Sequence, residues 1–309
     1  MPLFGKRPDG KRVKQMDPIV QLTPYLMPMR CDAQVFLDHA LDYEALTRYI
    51  AQKSREGVKI TFMEIMIAAF VRGISQVPEA NRFVINKQLF NRTELTVSFT
   101  LLMDTKDGSY QENAVKIFFD PTDTLFDVST RVKQVVEANR KPEEPSAVVR
   151  LASFLMKVPL LPNAVVGLVK LLDRYGLCPK WFLDIVPFHS SMFITNMASI
   201  GMHRVYHHIY NFGNTSLFFS LGTPERSRTV DAAGNPIRKS ILPVGITADE
   251  RVCGGAVYAM LFAVMNKHLK DPALLELPPE TVLFNDGCTY SVPKPKDVLM
   301  PKTPEAAGE

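Results

Sequence analysis

The chain has 309 residues, of which 46% are hydrophobic and 22% are charged, and its formal net charge is +4. These values are typical of an ordinary globular protein whose core needs no disulfide or metal cross-links. The charge is mild and much of it lies in the N-terminal stretch GKRPDGKRVK, so the sequence shows no nucleic-acid-binding footprint.

Residues 1–20 are interpreted as a flexible basic arm that contacts its own chain or a neighbouring subunit. The arm lacks the apolar segment of a signal peptide. The four cysteines lie far apart and form no CxxC pair, which argues against a zinc ribbon or a disulfide framework and favours a reducing, cytoplasmic location. These cysteines are Cys31, Cys178, Cys253 and Cys288.

The first elements after the arm are a strand and two helices. Alternation of apolar and polar residues over Val35–Leu41 predicts a strand with one buried face, and a helical period begins at Tyr43. The next helix opens with Thr61 and Glu64 at capping-box spacing and stops at Pro78.

The stretch RFVINKQLFNRTELTVSFTLLM predicts a hairpin that turns at NRT, and AVKIFFD predicts a further strand. PTDTLFDVSTRVKQVVEANRK predicts an amphipathic helix. KPEEPS follows and is interpreted as a linker that leads into an insertion, residues 147–188.

This insertion is apolar, but prolines at 159 and 162 interrupt it, and Lys157 and Lys170 bracket a charge-free stretch too short to span a membrane. It predicts two short amphipathic helices that pack against the domain or a neighbouring subunit. Contact of residues 151–188 with a membrane surface is the alternative.

Three strands, SMFITNMASIG, TSLFFSLGTP and IRKSILPVGITAD, are predicted after the insertion, with DAAGNP as a turn and AVYAMLFAVMNKHLKD as a helix. We therefore predict an α/β two-layer sandwich over residues 21–277, with one mixed sheet covered by helices. An extended, proline-rich tail is predicted for residues 278–309.

Two polar residues end the strand SMFITN. Thr195 and Asn196 offer a hydroxyl and an amide that could donate hydrogen bonds to a developing oxyanion. A strand-end hydroxyl that bonds to its own backbone is an equally good interpretation. GxSxG, P-loop and GxGxxG motifs are absent from the sequence.

Three histidines cluster in GMHRVYHHIYNFG, and a helix would place His203 and His207 on one face. Without a nearby carboxylate or cysteine to complete a ligand set, we expect no metal site. We instead predict that His207, together with His189 of PFHSS, lines a substrate pocket or a subunit contact. Cys253 is expected to be a small buried residue rather than a nucleophile.

The segments ITNMASIG, SLFFSLGTPE and ADERVCGGA resemble the last third of the chloramphenicol acetyltransferase superfamily, which includes the catalytic domain of the dihydrolipoyl acyltransferases of 2-oxoacid dehydrogenase complexes. DERVCGG lies over the superfamily signatures HHxxxDG and DHRxxDG, and Asp249, Arg251 and Gly255 match the second. MPMRCDAQVFLDHALDYEALTRYI also fits, so the resemblance covers most of the chain except the insertion.

The resemblance implies a homotrimer with active sites between subunits, in which coenzyme A and a small-molecule acyl acceptor enter from opposite ends. The hydroxyl at Thr195 would stabilise the oxyanion, and the position of the family's basic histidine is Glu250. The family's second aspartate is replaced by Gly254. Its N-terminal arginine partner corresponds to Arg30, for which we predict an ion pair with Glu250.

A carboxylate, with an ordinary pKa of about 4.3 against about 6.5 for imidazole, is a much weaker base. Two functions therefore remain open. One is a coenzyme A-dependent acyltransferase with Thr195 as oxyanion donor, Glu250 or a histidine such as His207 as base, and Asn196, His189 and Arg30 at the substrate. The other is a catalytically inactive trimeric scaffold or ligand-binding protein that retains the fold.

Overall fold

The structure of the protein is a computed structural model. It describes residues 7–104, 110–140, 156–157, 159–230, 233–286 and 288–301. The predicted linker KPEEPS lies outside these residues, as do the first two residues of the predicted turn DAAGNP.

The strands of the described residues are β1 Gly10–Arg12, β2 Gln34–Asp42, β3 Arg82–Ile85, β4 Gln88–Arg92, β5 Leu95–Asp104, β6 Tyr110–Phe119, β7 Met192–Asn196, β8 Leu217–Leu221, β9 Glu225–Val230 and β10 Pro236–Asp249. The α-helices are α1 Pro18–Leu26, α2 Tyr43–Arg55, α3 Phe62–Gln76, α4 Leu125–Arg140, α5 Leu161–Arg174, α6 Lys180–Ile185 and α7 Gly255–Lys270. The tail after residue 277 contains neither helix nor strand where it is described.

A seven-stranded mixed sheet forms one layer of the fold. Its strand order is β2-β10-β8-β7-β5-β6, with β9 paired to β10, and β7 runs parallel to both neighbours. Helices α2, α3, α4 and α7 share one continuous core with one face of this sheet. The predicted two-layer α/β sandwich with a mixed sheet is therefore confirmed.

The sequence signals at the start of α3 act as predicted. The Thr61 hydroxyl accepts a hydrogen bond from Glu64 N at 3.2 Å, and a Glu64 carboxylate oxygen accepts one from Thr61 N at 2.8 Å. These bonds satisfy two of the donors that a helix start leaves unpaired. Nearly every residue of α3 is buried beneath the sheet, which fits its apolar sequence.

The predicted turn at NRT is wrong. The chain turns earlier, at Asn86 and Lys87, which have positive φ angles of 50° and 60°. Two adjacent left-handed residues suit a two-residue hairpin, and asparagine adopts that conformation more easily than most residues. The resulting β3–β4 hairpin belongs to a second, three-stranded sheet of order β1-β4-β3.

The N-terminal arm is not free over its described part. Gly10 to Arg12 pair with β4, and the Arg7 side chain is buried, with its guanidinium on both carboxylate oxygens of Asp9 at 3.0 Å. The same guanidinium lies 5.7 Å from the ring centres of Phe83 and Phe90. The expectation of a flexible arm is therefore corrected for this stretch.

The two predicted helices of the insertion are present as α5 and α6. α5 buries one residue, Asp173, and leaves Val166, Leu168 and Leu171 about half exposed. None of the described helices is long and apolar enough to cross a membrane.

The histidine-rich segment 203–210 is not helical. It crosses the sheet face that the helices leave uncovered, and two glycines permit its close approach. A Cβ on Gly222 would lie 2.2 Å from Arg204 N, and one on Gly245 would lie 2.5 Å from Val205 O. The shared helix face proposed for His203 and His207 therefore does not exist.

Candidate functional site

The loop that follows β10 is built around a buried carboxylate. Asp249 is 1% exposed and accepts two hydrogen bonds from the Arg251 guanidinium, at 2.8 Å from Nε and 2.7 Å from Nη2. Its Oδ1 also accepts from Arg251 N at 3.2 Å. This bidentate pair fixes the turn that carries Glu250 between its two members.

Arg30 completes this cluster. Its Nε lies 3.3 Å from Asp249 Oδ2, and its other nitrogens donate to the carbonyl oxygens of Tyr210 at 2.7 Å and Gly213 at 3.1 Å. Burial lowers the pKa of Arg30, against the opposing effect of Asp249. The predicted ion pair between Arg30 and Glu250 is wrong in this chain, because the enclosed guanidinium is already held by Asp249 and backbone carbonyls.

Glu250 itself is exposed, and its backbone N–H donates to Ala33 O at 3.0 Å. Burial of its carboxylate would therefore require a second chain. Gly254 precedes α7 as its N-cap, and a Cβ added there meets no atom within 4 Å. Cys253 is 3% exposed, and burial raises its pKa to about 12, so it is the inert small residue that we expected.

Thr195 is half-buried at the end of β7. Among the described residues its hydroxyl bonds to Met197 Sδ, a weak acceptor, at 3.7 Å. It does not bond to its own backbone, which was the alternative interpretation. Asn196 is exposed as the last residue of the strand. The Thr195 hydroxyl is therefore available to donate a stronger hydrogen bond.

Thr195 and Glu250 of one chain do not meet. Thr195 pairs with Ser220 in β8, and Ser220 pairs with Gly245 in β10. Glu250 lies five residues further along, which at about 3.3 Å per residue is roughly 16 Å. A reaction centre that uses both residues must take them from two chains.

His207 lies on the same sheet face as Thr195. Its ring stacks on Phe218 with centroids 4.6 Å apart, and Phe218 stacks on Phe193 at 4.9 Å. Phe193 is two residues before Thr195, so both side chains leave β7 on one face. Burial lowers the pKa of His207, and its Nε2 is buried with no hydrogen-bond partner among the described residues.

His189 is placed elsewhere. It is 2% exposed, its Nε2 lies 3.1 Å from an Asp173 carboxylate oxygen, and its ring meets Phe212 edge-on. Arg7 Nη2 contacts the other Asp173 oxygen at 2.8 Å. No local sequence pattern predicts this cluster, because Arg7 and Asp173 are 166 residues apart.

Comparison with known proteins shows no matching family model and no matching curated sequence.

Solved structures do match. The cubic core of the pyruvate dehydrogenase multienzyme complex aligns at 14% identity with a TM-score of 0.53, over 86% of this chain and 95% of that one. Dihydrolipoamide acetyltransferase from Azotobacter vinelandii gives the same values. A probable dihydrolipoamide acetyltransferase from Listeria monocytogenes aligns at 9% identity and 0.53, over 84% and 95% of the two chains. The chain has the fold of these acetyltransferase cores, in agreement with the fold that its motifs indicated.

Proposed function

We propose that the protein is a coenzyme A-dependent acyltransferase of this fold with a non-standard active site between two subunits of a homotrimer. The observation that carries the proposal is the separation of Thr195 and Glu250 by roughly 16 Å along the sheet of one chain, both accessible from outside the core. The superfamily that the sequence resembles has its active sites between subunits, which supports one such pair at each interface.

In this reaction a base takes the proton from the thiol or hydroxyl of the acceptor, which attacks the thioester carbonyl. Thr195 donates a hydrogen bond to the resulting oxyanion, and collapse of the intermediate expels the coenzyme A thiolate. The Thr195 hydroxyl at the half-buried end of β7 bonds only to the weak acceptor Met197 Sδ among the described residues, which supports this role.

Glu250 occupies the position of the base. It becomes effective if a neighbouring subunit buries it, because burial disfavours the charged carboxylate. His207 is the second candidate, since its buried Nε2 has no hydrogen-bond partner among the described residues and lies on the face that also carries Thr195.

The direct test is release of free thiol from acetyl-coenzyme A with a panel of thiol and alcohol acceptors. We expect turnover that falls at least about tenfold in both Thr195→Val and Glu250→Gln. Glu137→Gln, an exposed change on α4, serves as the matched control and should retain the parent rate. Turnover that is absent, or equal in all variants, would refute the enzyme.

Co-expression of Thr195→Val with Glu250→Gln tests the shared site. If the two variant chains mix randomly in a trimer with head-to-tail interfaces, about a quarter of the interfaces contain both native residues. Activity near a quarter of that of the parent would support a site built from two chains. A protein that is monomeric in solution would refute the shared site.

The second candidate, an inactive trimeric scaffold, is favoured by one observation. The loop takes its shape from Asp249, Arg251 and Arg30, and none of these interactions uses the side chain at position 250. A trimer without turnover that gains activity in the Glu250→His, Gly254→Asp double variant would support the scaffold over the enzyme.

A further inference from the structure

A cavity of about 370 Å³ lies between the insertion and the loop after β10. α5 provides Lys170, Asp173 and Arg174 on one side, and the turn between β3 and β4 provides Lys87. Arg30 and Arg251 form the wall next to Asp249. The cavity therefore joins three separate parts of the chain.

The side chains that line this cavity are strongly cationic. Five of them are basic, and Asp173 is the one acidic residue in the lining. The charge of Asp173 is already matched by Arg7 behind it, and Asp249 lies between Arg30 and Arg251. An excess of positive charge therefore faces the space.

Three of the cations, Lys87, Lys170 and Arg174, have no acidic partner among the described residues. Lys170 is exposed and makes no ion pair there, while Lys87 is exposed with its ammonium 5.3 Å from the ring centre of Tyr25. Arg174 uses Nε to donate to Asn86 Oδ1 at 2.9 Å. Its terminal nitrogens make no hydrogen bond to the described residues. Lys87 comes from the turn between β3 and β4, whereas Lys170 and Arg174 come from α5.

We infer that this cavity is a binding site for a phosphate-bearing small molecule. A carboxylate is satisfied by one bidentate guanidinium, whereas a phosphate accepts hydrogen bonds from several donors on different sides. Lys87, Lys170 and Arg174 provide such donors on two sides of the cavity. The inference does not depend on acyl transfer.

The occupant has an apolar part as well as a phosphate. Met29, Val84 and Phe212 contribute to the lining, and the volume is in the range of small-molecule sites. A bare inorganic phosphate would leave these walls in contact with water. An organic phosphate ester buries them, which adds affinity.

Calorimetric titration with phenyl phosphate and with inorganic phosphate tests the site. We expect saturable binding of both, with phenyl phosphate about tenfold tighter because its ring is buried. Absence of saturable binding up to about 10 mM overturns the site, since that corresponds to less than about 3 kcal/mol. Equal affinities for phenyl phosphate and inorganic phosphate would show that the site does not bind an apolar group.

The variant that removes the two unpaired lysines is Lys87→Asn, Lys170→Gln, where asparagine tolerates the positive φ at position 87. We expect its Kd for phenyl phosphate to rise about tenfold. Lys239→Gln is the matched control, because Lys239 is exposed on β10 and does not line the cavity. An equal loss in the control means non-specific attraction and overturns the site.

A vesicle-binding experiment distinguishes a soluble phosphate ligand from a lipid headgroup. Parent and variants are sedimented with phosphatidylglycerol vesicles. Binding that requires Lys87 and Lys170 and is competed by phenyl phosphate would assign the phosphate to a lipid and overturn the small-molecule ligand. Failure of vesicles to bind, with phenyl phosphate still bound, supports the inference.

Discussion

The loop after β10 and the inserted helix α5 are both held by a buried aspartate, yet they differ in what they show to solvent. Asp249 fixes a loop whose exposed residue, Glu250, is polar. Asp173 holds a helix whose exposed residues are largely apolar. A buried aspartate can therefore anchor either a tightly shaped loop or a surface helix with little packing beneath it.

The largest effect is expected at the loop. Asp249→Ala leaves Arg30 and Arg251 buried without their counter-charge, which should lower the free energy of unfolding by about 3–5 kcal/mol. Urea denaturation measures this change. Glu250→Ala is the adjacent control, with an expected change within about 0.5 kcal/mol, because this side chain is exposed. Similar losses of stability in the two variants would contradict the role of Asp249 as the buried anchor of the loop.

The anchor of α5 should give a smaller loss. Asp173→Asn keeps the shape and part of the hydrogen bonding to Arg7 but removes the charge, so we expect a loss of about 2 kcal/mol. Urea denaturation again provides the measurement, and Asp184→Asn, on the half-buried face of α6, is the comparison. If Asp173→Asn left stability unchanged, the insertion would have to be held by other contacts.

The charge of Asp173 also predicts a pH dependence. Burial raises its pKa, but His189 and Arg7 outweigh that effect, so the pKa of the folded state is below the ordinary value. Its stabilisation is therefore present above about pH 4 and is lost as the pH falls through the folded pKa. The stability difference between the parent and Asp173→Asn should shrink below about pH 4. Curves that stay parallel down to pH 2 would contradict this.

The smallest effect is expected at Gly254. Aspartate there meets no atom within 4 Å and accepts hydrogen bonds as an N-cap better than glycine does, so Gly254→Asp should stabilise by a few tenths of a kcal/mol. A shift of about 1 °C in thermal unfolding is the expected readout. A loss of stability would show that the position is constrained beyond its immediate contacts.

The sequence predicted the parts of the fold that local patterns determine. The alternation that marks β2 and the capping box of α3 arise within a few residues, and both predictions were confirmed. β9 was missed because its residues ERSRTV are polar and mostly exposed on both faces, so they carry no alternating apolar signal. The turn at Asn86 was missed because a more polar stretch lay nearby.

Long-range pairing was harder to predict. The motif located the loop after β10, but Arg30 reaches it from 219 residues away, and the sequence prediction named Glu250 rather than Asp249 as its partner. Burial decides the matter, since one of these neighbours points into the protein and the other into solvent. The cavity lysines carried no motif, because Lys87 and Lys170 come from two distant segments of the chain.

Arg7 has a practical consequence for handling the protein. It joins the first strand, the aromatic pair Phe83 and Phe90, and the insertion through Asp173. A protease cut or a truncation that removes the first dozen residues would delete an edge strand and release α5 together. An N-terminal deletion would therefore also destabilise the insertion, so purification tags are better placed at the other end of the chain.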